Sequence, residues 1–181
     1  YRSVKMKYKI GKTIAVAGDT ITVLLDDHKS DETGEESGVP KSMSVNLLSE
    51  VGPVPLLIGR PGSFIDVSIP TGSLLCMVTA IKMTESFPQP GEIKAAIVEG
   101  DLFIATSKRL LEVLALGTID LEGKFERGSD VLPTVGADVF AVPSETIDRV
   151  YASYSGGNFS IGKLSVLPSQ EAKINLDTFL S

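Results

Sequence analysis

The chain has 181 residues, of which 43% are hydrophobic and 22% are charged, and its formal net charge is −6. A chain of this length can bury about 70% of the surface of its unfolded form, so it needs neither disulfides nor a metal ion to stay folded. The acidic balance argues against a duplex-DNA clamp, because nonspecific affinity for DNA comes from lysines and arginines that neutralise phosphates.

The first predicted strands contain a tripeptide that resembles part of a nucleotide-binding loop. Residues 11–13 read Gly-Lys-Thr, which is how a P-loop ends, but Met6 stands where the first glycine of that motif belongs. A P-loop also opens a helix, whereas the residues after Thr13 continue an alternation of strand type. Gly18-Asp19 interrupts this alternation and predicts a two-residue type II′ turn. We therefore interpret residues 9–25 as a hairpin that opens a β-barrel.

Lysines alternate with apolar residues in the segment that leads into this hairpin. Lys5, Lys7 and Lys9 are predicted to face outward from a half-buried strand. One interpretation is a cationic contact for nucleic acid or an acidic partner. The other is a solvated strand edge, which lysines protect against pairing with another chain.

A long acidic loop is predicted at residues 27–42, which lack periodicity and are rich in Asp, Glu, Ser and Gly. Its carboxylates do not have the spacing of an EF-hand, so we interpret them as solvated charges. The single histidine, His28, lies in this loop without a cysteine or serine partner in a recognisable arrangement. A second surface loop is predicted at residues 85–92.

The rest of the chain is predicted to form short strands separated by Gly/Pro turns. Strand patterns occur at residues 43–48, 63–69, 74–84, 97–106, 109–123, 139–141 and 158–167. Residues 109–116 could also form a helix, but the neighbouring segments alternate and Gly117 lies near the end, which favours a strand. One short helix is predicted near residues 144–154, with Ser144 as its N-cap. This pattern predicts a mainly β fold, a small closed or partly open antiparallel barrel that spans residues 1–181 as one domain.

The sequence contains no recognisable catalytic, cofactor or metal site. The chain has one histidine and one cysteine, in no arrangement that would support nucleophilic catalysis by a cysteine–histidine pair. No spacing typical of metal ligands is present either. Cys76 lies in an apolar run and is predicted to be a buried, unreactive thiol. A single cysteine fits a reducing compartment and no apolar run approaches the roughly 18 residues of a membrane helix, so we expect a cytoplasmic protein without membrane contact. The chain is predicted to be a binding or assembly module, not an enzyme.

A set of short motifs in a fixed order resembles a known family. Ile10-Gly11-Lys12-Thr13 near the start is echoed by Ile161-Gly162-Lys163 near the end, and between them lie IGRPGSFIDVSIP and GTIDLEGKFERG. In this order they resemble the N-terminal barrel of the HerA family, which is similar to the N-terminal barrels of F-type ATP synthase subunits. The resemblance spans residues 9–181. We expect the second Ile-Gly-Lys to close the barrel against the first.

The resemblance implies a place in a larger machine. In the HerA family the barrel precedes a hexameric, RecA/FtsK-like ATPase that pumps along duplex DNA, and residues 172–181 resemble the segment that runs into it. ATP and Mg²⁺ are implied for that ATPase domain and none for this chain. The implied partners are the other subunits of a homo-hexamer and a NurA-type nuclease or a defence effector such as a sirtuin-like NADase.

The loops IGRPGSF and KFERG are our candidates for contact with a neighbouring subunit or partner. The candidate interface residues are Arg60, Pro61, Phe64, Phe125 and Arg127, with the two arginines as charged anchors. Alternatively, Arg60 is an exposed residue of a turn without a binding role, and Arg127 pairs with a nearby carboxylate. Two other functions stay open from the sequence, a stand-alone nucleic-acid-binding barrel that uses the lysine face and an unrecognised enzyme with convergent carboxylates.

Overall fold

The computed structural model is built almost entirely from β-strands. It describes residues 7–30, 35–49, 52–86, 106–143, 146–147, 150, 158–163 and 171–175. The strands, numbered in chain order, are β1 Lys9–Ala17, β2 Thr20–Leu25, β3 Lys29–Ser30, β4 Glu36–Ser37, β5 Ser44–Ser49, β6 Gly52–Leu57, β7 Phe64–Ile69, β8 Gly72–Ser86, β9 Thr106–Asp120, β10 Phe125–Arg127, β11 Asp138–Ala141, β12 Asn158–Lys163 and β13 Glu171–Asn175.

Six strands form a closed antiparallel barrel, which confirms the predicted fold class. Around the barrel the order is β9-β2-β1-β11-β7-β8, and β8 pairs with β9 to close the ring. All of these pairings are antiparallel. The additional strand β10 pairs with the last third of β9, at Ile119, Thr118 and Gly117. Closure removes the unpaired sheet edges that an apolar chain of this kind would otherwise expose.

The interior of the barrel is filled by the inward-facing side chains of its strands. Because successive side chains in a strand point to opposite faces, Ile65 and Val67 of β7 enter the core while Phe64 faces outward. The largest fully buried core side chains are Ile10, Ile21, Ile58, Ile65, Leu74, Leu111, Val23, Val39, Val67, Val78 and Val113. The outward-facing Phe64 belongs to a second, smaller cluster around Leu75, Val142 and Ile147.

The Gly-Lys-Thr tripeptide lies inside β1, as the sequence predicts. A Cβ atom at Gly11 would overlap the carbonyl oxygen of Leu24 on β2, so the close pairing of these two strands requires glycine there. The Thr13 hydroxyl donates to the Thr134 carbonyl oxygen at 2.7 Å and accepts from the Ala137 amide at 2.9 Å. Gly18 has φ 59°, as the first central residue of the predicted turn requires.

The expected closure of the barrel by the second Ile-Gly-Lys is wrong. β11 pairs with β1 through Phe140, Val139 and Asp138, whereas β12, which contains Ile161-Gly162-Lys163, has β13 as its one partner among the described strands, in a separate two-stranded sheet. The physical reason is the burial pattern. Val139 and Ala141 supply inward-facing apolar side chains, while Phe159 and Ile161 of β12 are 58% and 60% exposed.

The structure also refines the predicted loops and helix. Segment 27–42, predicted as a loop, contains the two short strands β3 and β4 and the buried Val39. The predicted loop at 85–92 lies outside the described residues apart from its first two, which end β8. Most of the predicted helix near 144–154 also lies outside the described residues, and residues 146, 147 and 150 have helical backbone.

Candidate interaction site

A groove of about 170 Å³ lies on the outer wall of the barrel where β7, β8, β9 and β10 meet. We call it the wall groove, and its lining consists of six apolar side chains and one cation, namely Phe64, Leu75, Leu116, Phe125, Ile147, Val150 and Arg127. Three of the five residues predicted as an interface from the sequence therefore come together in one place. The others, Arg60 and Pro61, lie in the exposed turn before β7 and are absent from this lining.

The shape of the wall groove depends on a glycine in β9. Gly117 pairs with Arg127, and the ring of Phe125 lies so close to it that a Cβ atom at Gly117 would be 2.6 Å from the ring carbons Cε2 and Cζ. A Cβ there would also overlap the carbonyl oxygen of Glu126. Gly117 thus lets β10 approach β9 closely and lets the Phe125 ring lie over the strand.

Arg127 is an exposed cation at the wall groove that has no ionic partner among the described residues. The nearby carboxylate of Glu126 pairs instead with Lys124, with 2.9 Å between Nζ and Oε1. The alternative in which Arg127 pairs with a local carboxylate is therefore not seen within the described part of the chain. A cation at the edge of an apolar groove is a common arrangement at protein interfaces, where arginine is enriched.

The backbone around Arg60 forms a tight turn. The Ser63 hydroxyl donates to the Arg60 carbonyl oxygen at 2.7 Å, and the Gly62 amide donates to the Val78 carbonyl oxygen at 2.7 Å. Gly62 has φ 88°, a left-handed conformation that favours glycine. The side chain of Arg60 is exposed in this turn, so the structure leaves it available to solvent and separate from the groove lining.

The two lysines of the predicted cationic face that the structure describes both form ion pairs. Lys7 Nζ lies 2.9 Å from Asp66 Oδ2 and 5.5 Å from the centroid of the Phe140 ring. Lys9 Nζ lies 2.7 Å from Asp138 Oδ1. Lys5 lies outside the described residues. These carboxylates offset part of the positive charge that contact with nucleic acid would need.

Sequence reasoning missed Arg109, a buried charge that fastens the acidic segment to the barrel. Arg109 is 6% exposed, and its Nη2 donates to the Val39 carbonyl oxygen at 2.6 Å and to Asp27 Oδ1 at 2.9 Å. Its Nη1 donates to the Pro40 carbonyl oxygen at 2.7 Å. The sequence contained a signal for this buried charge, because Arg109 is in phase with Leu111 and Val113, which face inward on β9. A charge on the apolar face of a strand needs several partners.

The single cysteine, Cys76, is a free thiol buried in the core of the barrel. Burial, with the nearby Asp66 carboxylate, raises the pKa of the Cys76 thiol to about 12, so the thiol stays protonated and unreactive at neutral pH. Within the described ranges no group of three or more His, Cys, Asp or Glu side chains could hold a metal ion. The buried Asp66 Oδ1 atom has no hydrogen-bond partner among the residues that the structure describes, while the other oxygen of Asp66 accepts from Lys7.

No protein-family model matches this chain, and no curated protein is significantly similar to it. No helix in the described part of the chain has both the length and the apolar character to cross a membrane.

Proposed function

We propose that this chain is the non-catalytic N-terminal barrel of a HerA-like, ATP-driven DNA translocase. In this role the barrel holds a ring of subunits together and docks a nuclease or an anti-phage defence effector. The resemblance of the motifs implies a closed antiparallel barrel, and the chain forms one. The observation that carries the proposal is the convergence of Phe64, Phe125 and Arg127 in the wall groove.

The packing of the barrel favours a role for its outer surface. The interior is occupied by the core side chains, and the wall groove of about 170 Å³ is smaller than the sites that hold small molecules. Such sites usually have volumes of about 300–1,000 Å³. A groove of this size accommodates a side chain that projects from another protein surface, as at the centre of many interfaces.

The proposal places ATP hydrolysis in a separate domain of the protein. In the proposal, ATP and Mg²⁺ bind in an ATPase domain that follows residue 181, and the barrel contributes no catalytic group. The alternative of a stand-alone nucleic-acid-binding barrel is less well supported, because Lys7 and Lys9 are both paired with carboxylates.

ATP hydrolysis tests the proposal directly. A longer chain is produced that includes the residues encoded directly after residue 181. The 181-residue chain and the longer chain are then purified and assayed side by side for ATP hydrolysis in the presence of Mg²⁺. We expect a Gly-x-x-x-x-Gly-Lys-Ser/Thr sequence in the extension and hydrolysis by the longer chain alone. A lysine-to-alanine change in that motif is the matched control. Hydrolysis by the 181-residue chain, or an extension without a P-loop, would overturn the proposal.

A further inference from the structure

The alternation of side chains in β10 explains why the described carboxylates leave Arg127 unpaired. Phe125 and Arg127 both line the wall groove, because every second side chain of a strand points to the same face. Lys124 and Glu126 point to the other face and pair with each other there, with 2.9 Å between Nζ and Oε1. Arg127 therefore adds a positive charge to the groove that the neighbouring Glu126 does not neutralise.

The other charged residue in the same row of the outer wall is too distant to pair with Arg127. Cross-strand pairs join four residues of β7, β8, β9 and β10 into this row, namely Asp66, Leu75, Gly117 and Arg127. Neighbouring strands are about 4.8 Å apart, so Asp66 and Arg127 are separated by roughly 14 Å along the sheet. Asp66 is already paired with Lys7, at 2.9 Å. The wall groove is thus apolar over most of its lining and cationic at its β10 margin.

The apolar surface continues from the wall groove into the next row of the wall. Phe64 pairs with Met77 of β8, and Met77 pairs with Leu114 of β9. Leu114 is 36% exposed, and Met77 is partly buried. The two rows are about 7 Å apart, because side chains on one face recur at every second residue. The groove therefore opens onto an apolar wall, which suits a segment of another protein better than an isolated small molecule.

The volume and charge of the wall groove select the chemistry of that segment. A cavity of about 150 Å³ holds a benzene ring, so a groove of about 170 Å³ takes one large apolar side chain. The guanidinium of Arg127 is suited to two parallel hydrogen bonds with a carboxylate or a phosphate. Six apolar side chains beside one cation favour a protein carboxylate, because nucleic acids are bound through several cations together.

We infer that the wall groove binds a linear segment of a partner protein that combines a large apolar residue with a nearby aspartate or glutamate. The apolar side chain enters the groove beside Phe64 and Phe125, and the carboxylate pairs with Arg127. The two residues of the segment lie within about three positions of each other, roughly 10 Å of extended chain. The inference rests on the proposed function, because a docked nuclease or effector would supply the segment. It adds the chemistry by which the barrel recognises that partner.

Selection from a random peptide library tests the inference. The library is displayed on phage and selected in parallel against the purified 181-residue chain and its Arg127→Glu variant. We expect the wild type to enrich peptides that carry a large apolar residue and a nearby Asp or Glu. Arg127→Glu should instead enrich peptides with Lys or Arg in place of the carboxylate, because like charges in the contact repel each other.

Fluorescence anisotropy with a synthetic copy of the most enriched peptide measures the two contacts separately. Arg127→Glu should raise the dissociation constant about tenfold or more, and Arg127→Lys should raise it less, because lysine keeps the charge but loses the paired hydrogen bonds. Replacing the apolar residue of the peptide with serine, or its carboxylate with the corresponding amide, should also weaken binding about tenfold. Arg60→Glu is the matched control, since it makes the same change at an exposed arginine outside the groove lining and should leave the affinity unchanged.

Several outcomes would overturn the inference. They are a wild-type selection without enrichment, enriched peptides that lack a carboxylate, and equal effects of Arg127→Glu and Arg60→Glu. Binding of a single-stranded oligonucleotide that depends on Arg127, without enrichment of peptides, would assign this cation to nucleic acid instead. Circular dichroism checks the fold of each variant, and Arg127→Gln replaces the reversal if Arg127→Glu does not fold.

The peptide contact and the proposed function can fail separately. A wild-type chain that enriches no peptide, with an active ATPase in the longer chain, would overturn the contact and leave the proposed function in place. Peptide binding that depends on Arg127, in a protein without a P-loop, would overturn the proposed function and keep the contact.

Discussion

Replacing Arg109 with methionine should lower the free energy of unfolding by about 3 kcal/mol, because this side chain holds residues 26–27 and 39–43 on the barrel. Methionine keeps most of the aliphatic stem and removes only the guanidinium, so the loss reports the polar contacts. The strongest of these are the bonds to the carbonyl oxygens of Val39, at 2.6 Å, and Pro40, at 2.7 Å. Each charge-assisted bond contributes about 1.5 kcal/mol, including the penalty for leaving a buried carbonyl unpaired.

The ion pair with Asp27 adds little to this total. The Asp27 side chain is 81% exposed, so water screens its charge, and pairs of this kind contribute about 0–1 kcal/mol. The bond from Arg109 to the Asp26 carbonyl oxygen is 3.3 Å long and correspondingly weak. Asp27→Asn should therefore cost less than about 1 kcal/mol, well below the cost of Arg109→Met.

Urea denaturation of the wild type, Arg109→Met, Asp27→Asn and Lys108→Met measures these differences. Lys108 is the exposed neighbour of Arg109 on β9, and its replacement should stay within about 0.5 kcal/mol of the wild type. In a chain of this size, a loss of about 3 kcal/mol lowers the melting temperature by about 6–12 °C. Equal stability of Arg109→Met and Lys108→Met would refute the reasoning. So would an Asp27→Asn loss as large as that of Arg109→Met, which would assign the stabilisation to the ion pair.

Three further predictions concern the barrel strands. Gly11→Ala should cost more unfolding free energy than Gly18→Ala, because a Cβ at Gly11 would overlap the Leu24 backbone carbonyl oxygen, whereas a Cβ at Gly18 meets no atom within 4 Å and costs only the strain of its left-handed φ of 59°, about 1 kcal/mol; equal melting temperatures would contradict this. Thr13→Val should cost about 1–3 kcal/mol in thermal unfolding, because the buried Thr13 side chain would no longer bond to the backbone of the connection between β10 and β11; a variant as stable as the wild type would contradict this. Because burial raises the pKa of Cys76 to about 12, the unfolded chain loses the thiol proton first. The stability from the neutral thiol is complete below about pH 8.5 and is lost as the pH rises towards 12. Cys76→Ala should have a shallower decline than the wild type in that window, and identical slopes would exclude the effect.

Strand periodicity predicted the barrel because its strands have one buried and one outward face. The alternation in β7 is a property of consecutive residues, so Ile65 and Val67 could be assigned to the core before the structure was known. The same reasoning assigned residues 109–116 to a strand, and β9 spans Thr106–Asp120. Periodicity does not say which strands pair, and for that reason the partner of β1 was assigned to the wrong part of the chain.

The acidic segment could not be predicted in the same way because its order comes from distant residues. β3 and β4 contain two residues each, too few for a periodic pattern. They are held in place through Arg109, which lies 70 positions from Val39 in the sequence. The in-phase position of Arg109 could have indicated a buried charge, but its shortest bonds are to backbone carbonyl groups, which no residue type reveals.

The wall groove was only partly predictable. Phe125 and Arg127 were chosen from the motif KFERG and Phe64 from IGRPGSF, and the structure brings these three together. Leu116 was read only as part of a strand, because its outward direction depends on the register of β9 against β8. Arg60 was chosen because arginine is common at interfaces, and residue preference alone does not place a side chain on a particular face.

The short length of β10 explains why side chains, more than backbone pairing, should select the neighbour. β10 ends the strand order of the sheet, and among the described strands only β9 pairs with it. A long exposed edge would accept strands from many proteins, whereas three residues offer too few backbone groups for stable strand addition. The groove beside β10, with Arg127 on it, then provides the specificity that the edge lacks. A neighbour that matches both its apolar lining and its charge is favoured over one that matches only one of them.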